Sequence, residues 1–221
     1  MMYYSASMNT LDESLTNAVK EGELLESSLT NIRLLLAGTK SPVAREAVEE
    51  LAAAGEWQEL NDRFYKTLAF GTGGLRGRTI GSIVTRAEQG SGGVNGRPEY
   101  PCVGTACMNY FNVGRAMRGL IIYVKKHVEA TDPGRKPRLV IGHDTRHFSR
   151  DFAEFCAKIG TDLGCDIYLF DSPRATPEVS FAIRELNADS GVVLTASHNP
   201  SHDNGFKAYF NDGAQLVPPH D

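Results

Sequence analysis

Apolar positions recur at two different periods along the chain. Over residues 9–37, Leu11, Leu15, Val19, Leu25, Leu29, Ile32 and Leu36 return at helical spacing, with Asn9 or Thr10 as a candidate cap. Pro42 suits the first turn of a second helix, whose stripe is Val43, Ala47 and Leu51 and whose stop is Gly55. Trp57, Leu60 and Phe64 predict a third helix running to Leu68. From residue 113 the pattern changes. Val113, Met117, Leu120, Ile121 and Val124 mark a helix over 113–128, and Asp132-Pro133-Gly134 is a turn. A buried strand is predicted at 138–142, and further strands at 166–170 and 191–194. The intervening helices open at Ser149 or Arg150 and at Thr176-Pro177. A fourth strand is expected at 206–210, before the Asn211-Asp212-Gly213 turn.

Strands alternating with helices predict an α/β fold, a three-layer α/β/α sandwich with a mostly parallel, mixed sheet buried on both faces and preceded by N-terminal helices. The expected domains are a helical extension over 1–56 and the α/β/α domain over 57–221. Two stretches interrupt the periodicity. FGTGGLRGRTIGS has five glycines in thirteen residues, and EQGSGGVNGRPEYP, residues 88–101, reads as a long loop or irregular crossover.

Charge narrows the functional classes. Lys plus Arg number 23 against 27 Asp plus Glu, a net −4, so bulk nucleic-acid binding lacks its basic field. An anionic ligand has to be held by local groups. The N-terminal residues lack the basic-then-apolar pattern of a secretory signal, and no apolar run approaches the ~20 residues of a membrane span. A cytoplasmic protein without membrane or nucleic-acid partners is the expectation. Cys102, Cys107, Cys156 and Cys165 form no CxxC pair, so they are expected to be thiols in a reducing compartment rather than a zinc or thioredoxin motif.

Ligands of such sheets sit at the carboxyl ends of the strands. Asp144, Arg146, Pro173 to Thr176 and Ser197 all fall just past those ends. Ser197, in GVVLTASHNPSHDNGFKAYF, is either a turn residue or a nucleophile. The GxSxG elbow of hydrolases is absent, and an adjacent His198 does not by itself make a serine–histidine pair. A serine that accepts and returns a phosphoryl group fits better, because phosphoryl transfer asks mainly for positioning and charge neutralisation. His198 and Lys207 offer positive or hydrogen-bonding groups. In FGTGGLRG, glycines including Gly73 and Gly74 can bring backbone amides to an anion. Thr72 there adds a hydroxyl and Arg76 a planar fork, although the stretch is not a P-loop. The alternative is a glycine-rich bend with a surface arginine. Asp144 and Arg146, in GHDTRHFSR, either orient the serine loop through an ion pair or brace the fold. His143 and His147 have the i, i+4 spacing of metal ligands but lack the HExxH context.

Taken together, FGTGGLRG, GHDTRHFS and GVVLTASHNPSHDNGFKAY resemble the phosphohexomutase superfamily of phosphoglucomutases and phosphomannomutases. The tail NGFKAYFNDGAQLVPPHD and the Trp57 preface are most similar to its phospho-sugar mutase branch. The resemblance covers residues 57–221. It implies that Ser197 carries a phosphate, gives it to a sugar monophosphate, and recovers the other phosphate of the resulting bisphosphate. Phosphate then moves between C1 and C6 of a hexose. The resemblance further implies Arg76 and Lys207 in the catalytic site, with Lys207 a candidate base or charge stabiliser. His198 and Asn199 would shape the loop and contact phosphate, as would Thr72, Gly73 and Gly74. It implies Mg²⁺ bound to Ser197 through its phosphate, and glucose 1,6-bisphosphate as activator.

The family's enzymes are longer, and their Asp-Gly-Asp-x-Asp magnesium run and sugar-specificity loop do not occur in these 221 residues. The chain is therefore expected to be the catalytic-serine domain of a mutase, inactive without the remaining domains. Alternatives are a phosphopentomutase, a glucose 1,6-bisphosphate synthase, or a non-catalytic module that binds a sugar phosphate or a partner.

Overall fold

The computed structural model describes residues 3–71 and 74–217. They fall into two compact units, one of residues 1–68 with 80–107 and one of residues 69–79 with 108–221.

The first unit is helical. It holds α1 (Tyr3–Lys20), α2 (Glu26–Gly38), α3 (Pro42–Ala53), α4 (Trp57–Phe64) and the single turn α5 (Arg86–Gln89). The helix expected over 9–37 is two helices. Gly22 adopts φ +78°, which ends α1, and the Glu23 and Leu24 amides fold back onto the Ala18 carbonyl at 2.9 and 3.1 Å. Asn61 of α4 fixes the break, accepting from the Leu25 amide at 2.9 Å and donating to the Glu23 carbonyl at 2.8 Å. Leu24 is thereby buried and Leu25 turned outward. The third helix stops at Phe64, short of Leu68.

Leu15, Ile32, Ala47, Leu51, Leu60 and Phe64 form the interior of this unit. Arg63 is buried among them and would be prohibitively costly unpaired. It pairs with Glu59 at 2.8 Å and Glu88 at 2.6 Å and donates to the Ile83 carbonyl at 2.5 Å. Glu88 belongs to a capping box with Thr85, so the stretch expected to be loop from residue 88 opens inside a helical turn. α4 packs on α2 and α3, and the division between the two units does not fall at residue 56.

The second unit is the α/β body. It contains β1 (Leu75–Arg78), α6 (Tyr110–Thr131), β2 (Arg138–His143), α7 (Ser149–Asp162), β3 (Asp166–Leu169), α8 (Thr176–Glu185), β4 (Ser190–Leu194) and β5 (Asp203–Phe210). The five strands lie in the order β1-β5-β4-β2-β3. β3, β2 and β4 run parallel, while β5 is antiparallel to β4 and to β1. The sheet is thus mixed, as the sequence pattern predicts. Strand alternation sorts the layers. Val140 and Val193 meet Val179 and Ile183 of α8 on one face, and Ile167 meets Gly160 of α7 on the other.

The glycine-rich stretch, expected to be either an anion-binding loop or a bend, contains β1. Its four residues, Leu-Arg-Gly-Arg, bury only Leu75 and carry no alternation of their own, so pairing with β5 supplies the strand. β5 also begins earlier than expected, at Asp203. Among the described residues no helix is long and apolar enough to cross a membrane.

Candidate active site

β4 delivers the chain into a loop at its carboxyl end, from Thr195 to His202, which returns as β5. Ser197 sits in this loop at φ +58°, in the left-handed region that disfavours a side chain by on the order of 1 kcal/mol. Local bonds enforce the turn. The Ser197 amide donates to the Thr195 hydroxyl at 3.0 Å, and the Asn199 amide to the Ala196 carbonyl at 3.1 Å. The Asn199 side chain donates to the Asp203 carboxylate at 2.9 Å. The Ser197 side chain is exposed, and its Oγ lies 3.4 Å from Nδ1 of His198.

Arg146 clamps this loop. Its guanidinium donates to the carbonyls of Ser197 at 2.7 Å, Asn199 at 2.5 Å, Pro200 at 2.5 Å and Asp203 at 3.2 Å. Its Nε pairs with Asp144 at 3.1 Å. Asp144 in turn accepts from the Arg146 amide at 2.9 Å and the Ser149 hydroxyl at 2.6 Å. Ser149 also receives a bond from buried Asn204, whose amide reaches the His147 carbonyl as well. The loop is therefore tied to both β2 and α7 through one guanidinium. All its bonds to the loop go to main-chain oxygens, which leaves the Ser197 hydroxyl unengaged by the clamp.

Two cations flank the loop from the neighbouring strands. Lys207 stands opposite Val193 on β5, and Arg76 stands opposite Gly205 on β1. Residues 205 and 207 share a face, so Arg76 and Lys207 lie on the α8 side of the sheet, where Val193 packs. Burial holds the Lys207 ammonium below its ordinary pKa; the positive charge of Arg76 adds to this, and Asp144 opposes it. Gly74 brings β1 close. At φ +144°, a Cβ on it would stand 2.0 Å from the Phe206 carbonyl oxygen, so only glycine permits this approach. Gly71 and Gly74 exchange amide-to-carbonyl bonds at 3.1 and 3.0 Å. Thr72 and Gly73, expected to bind phosphate, lie outside the described residues.

A cleft of about 440 Å³ opens beside Ser197, lined by Asp144, Arg146, Arg174, Thr176 and Asn199 among others. Arg174 is the residue that sequence reasoning does not single out, although its loop, Pro173 to Thr176, falls at a strand end. It is held in place by Glu178 at 3.4 Å, Asp171 at 3.3 Å and the Ser172 hydroxyl at 2.5 Å, and it lies over the Phe170 ring. The first turn of α8 opens on the same cleft with no side-chain cap. An exposed hydroxyl on a clamped loop, beside a cleft lined by Arg146 and Arg174 but not by Arg76 or Lys207, suits an anionic partner.

The Mg²⁺ that the resemblance implies finds no complete set of ligands here. Among the described residues no group of three or more His, Cys, Asp and Glu side chains converges. Asp144 is committed to Arg146 and Ser149, and Asp203 to Asn199. His143 turns Nδ1 to the Asp144 carbonyl at 2.9 Å. These residues do not by themselves fit the six-oxygen shell that Mg²⁺ requires.

Residues 67–221 match the family Phosphoglucomutase/phosphomannomutase, alpha/beta/alpha domain I. A phosphoglucomutase of Staphylococcus epidermidis is 37% identical over 159 residues, 72% of this chain and 24% of that protein. A phosphoribomutase of Saccharomyces cerevisiae is 32% identical over 185 residues, 82% of this chain and 25% of that protein. The crystal structure described as "putative phosphomannomutase" from Thermus thermophilus superposes with a TM-score of 0.52 at 25% identity, covering 70% of this chain and 28% of that one. The chain spans about a quarter of the length of the relatives it matches. With the clamped serine loop and the mixed sheet in place, these matches assign the chain to the phosphoglucomutase/phosphomannomutase family, of which residues 67–221 are the α/β/α domain I.

Proposed function

We propose that this domain carries the phosphoryl group in a sugar-phosphate mutase, with Ser197 as the carrier. In the forward step a hydroxyl oxygen of the sugar monophosphate attacks the phosphorus on Ser197. A P–O bond to the sugar forms, the P–O bond to Ser197 breaks, and the sugar hydroxyl proton leaves to a base. The second half reverses this with the other phosphate of the bisphosphate, restoring phosphoserine. Lys207 is the base or the charge stabiliser; its depressed pKa makes the neutral amine more accessible than in an ordinary lysine. Arg76 neutralises phosphate charge, and His198 contacts phosphate beside the serine oxygen. Mg²⁺ with its other ligands, glucose 1,6-bisphosphate as activator, and the sugar-recognising groups are assigned to the part of the relatives that these residues do not span.

The observation that carries this reading is the presentation of Ser197. A partly buried arginine commits its donors to three loop carbonyls and that of Asp203 at the start of β5, and holds the serine in a left-handed conformation with its hydroxyl exposed. Strain of that kind persists where the surroundings over-determine it, and it clusters at reactive positions. The hexose reading, C1 to C6, is favoured by the phosphoglucomutase relatives. The pentose reading has its own support in the phosphoribomutase of Saccharomyces cerevisiae.

Phosphopeptide mass spectrometry tests the proposal. The chain is incubated with Mg²⁺ and glucose 1,6-bisphosphate, together with the complementary domains of a related mutase. A gain of about 80 Da on the peptide holding Ser197, absent from Ser197→Ala, is expected. A bare Ser197 under these conditions, or phosphate on another residue, overturns the assignment. Turnover of glucose 1-phosphate against ribose 1-phosphate by the same mixture then separates hexose from pentose.

A further inference from the structure

The four cysteines are all buried, but two of them differ from the others in their setting. The Sγ atoms of Cys102 and Cys107 lie 3.3 Å apart, close enough for one thiol to donate to the other. They sit in a single turn, Cys-Val-Gly-Thr-Ala-Cys, which brings residues five apart into sulfur contact. Gly104 makes that possible. A Cβ there would stand 2.8 Å from the Cys107 sulfur and 2.6 Å from the Arg63 carbonyl oxygen.

The turn is anchored on α4 and the residues after it. The Ala106 amide donates to the Arg63 carbonyl at 2.9 Å, the Thr105 hydroxyl to the Lys66 carbonyl at 2.7 Å, and the Leu68 amide to the Thr105 carbonyl at 2.9 Å. The Val103 amide donates to Glu88 at 2.7 Å. The backbone around the two thiols is thus anchored by neighbouring groups, and the sulfurs already lie in contact before any bond forms.

We propose that Cys102 and Cys107 are a reversible dithiol–disulfide site, oxidised by a two-electron acceptor of the small-molecule disulfide class. One cysteine thiolate attacks a sulfur of the external disulfide and expels one thiolate, giving a mixed disulfide. The second cysteine, as thiolate, attacks the protein sulfur of that bond and expels the other. Two protein thiols lose two electrons and two protons, and one external disulfide becomes two thiols. The hydrogen bond shared with Cys107, and then burial, hold the Cys102 thiol well above its ordinary pKa, so the reduced pair reacts only when the turn opens. Once formed, the bond closes the turn over α4. The site is independent of the phosphoryl-transfer reading.

Trypsin gives the test a clean readout. The Arg97–Pro98 bond resists cleavage, so one peptide, residues 87–115, holds both thiols and neither Cys156 nor Cys165. The folded chain is incubated with oxidised glutathione, with circular dichroism recorded throughout. It is then unfolded in iodoacetamide, digested and weighed. Expected is a peptide about 2 Da lighter than the reduced form and carrying no alkyl group, restored to two alkyl groups by dithiothreitol. Cys156 and Cys165 stay fully alkylated in the same sample. Two alkyl groups on 87–115 after oxidation, glutathione adducts without an internal bond, or a cross-link to Cys156 or Cys165 overturn the proposal. So does a bond that appears only as the circular dichroism of the fold is lost.

Discussion

Arg146 holds Ser197 by its main chain, donating to the serine carbonyl at 2.7 Å while its other donors take two further carbonyls of the same loop and that of Asp203 at the start of β5. One planar cation thus replaces the water that these oxygens would otherwise bind. A lysine cannot span the four acceptors, because its ammonium is a point donor. Arg146→Lys is expected to lower stability by about 2 kcal/mol in urea unfolding, the size of a lost charge-assisted hydrogen bond set. It is also expected to reduce phosphate loading of Ser197. Unchanged loading would mean that the clamp serves the fold alone.

Gly74 is where β1 meets β5. Gly74→Ala forces a side chain into a positive φ and against the Phe206 carbonyl at 2.0 Å. A loss of about 3 kcal/mol is expected. Hydrogen exchange of the β1 and β5 amides should rise with it, and those of β2 and β3 should stay protected. A neutral substitution would show that the two strands part easily.

Much of this is legible in the sequence, for a physical reason. Val140, Ile141, Val192 and Val193 are continuous apolar runs because both faces of their strands are covered. β1 is not legible, since Leu75 is its only buried side chain and its pairing with β5 comes from residues far along the chain. The split between α1 and α2 falls at Gly22 and is fixed by bonds with Asn61 that no periodicity encodes. At the site, Ser197, Arg76 and Lys207 stand out by motif, whereas Arg174 reads as any surface arginine until the cleft brings it beside Ser197. The Cys102–Cys107 contact has no metal or redox spacing to announce it.

Arg174 borders the cleft with its side chain partly exposed, and its ion pairs are to Asp171 and Glu178 on the rim. Surface pairs of that kind add little stability. Arg174→Gln is expected to shift unfolding by no more than about 0.5 kcal/mol. The affinity for glucose 6-phosphate, read by chemical-shift titration, is expected to fall by about tenfold, the worth of one charge-assisted hydrogen bond. Equal affinity would remove Arg174 from the anion site.

Lys207 has a pH signature with a definite sign. Its folded pKa lies below its unfolded value, so between the two the unfolded chain binds more protons and stability rises with pH. Below the folded pKa the lysine is charged in both states and the destabilisation is complete. Above the unfolded pKa it is neutral in both and the destabilisation is gone. Lys207→Met is therefore expected to be more stable than the parent at neutral pH, by less than about 1 kcal/mol because solvent screens the site. The two urea midpoints should converge toward pH ~10.4, the ordinary lysine value. Arg76→Ala should shrink the difference, since it removes the like charge. A gap that widens with pH would contradict the assignment of a depressed pKa.

The left-handed serine separates strain from chemistry. At φ +58°, alanine keeps the steric conflict of Ser197 and glycine does not. At an ordinary position alanine is the more stable choice, because glycine gives the unfolded chain more freedom. At 197 the order is expected to invert, with Ser197→Gly more stable than Ser197→Ala by about 1 kcal/mol. Both variants should lose the phosphate label entirely, since neither has a hydroxyl. Paired urea curves with phosphopeptide spectra check this. If alanine proves the more stable, the loop relaxes out of the left-handed conformation once the hydroxyl is gone, and the Arg146 clamp is not what imposes it. If glycine is the more stable and the label is lost, the fold holds a strained backbone at the residue whose oxygen carries the phosphate.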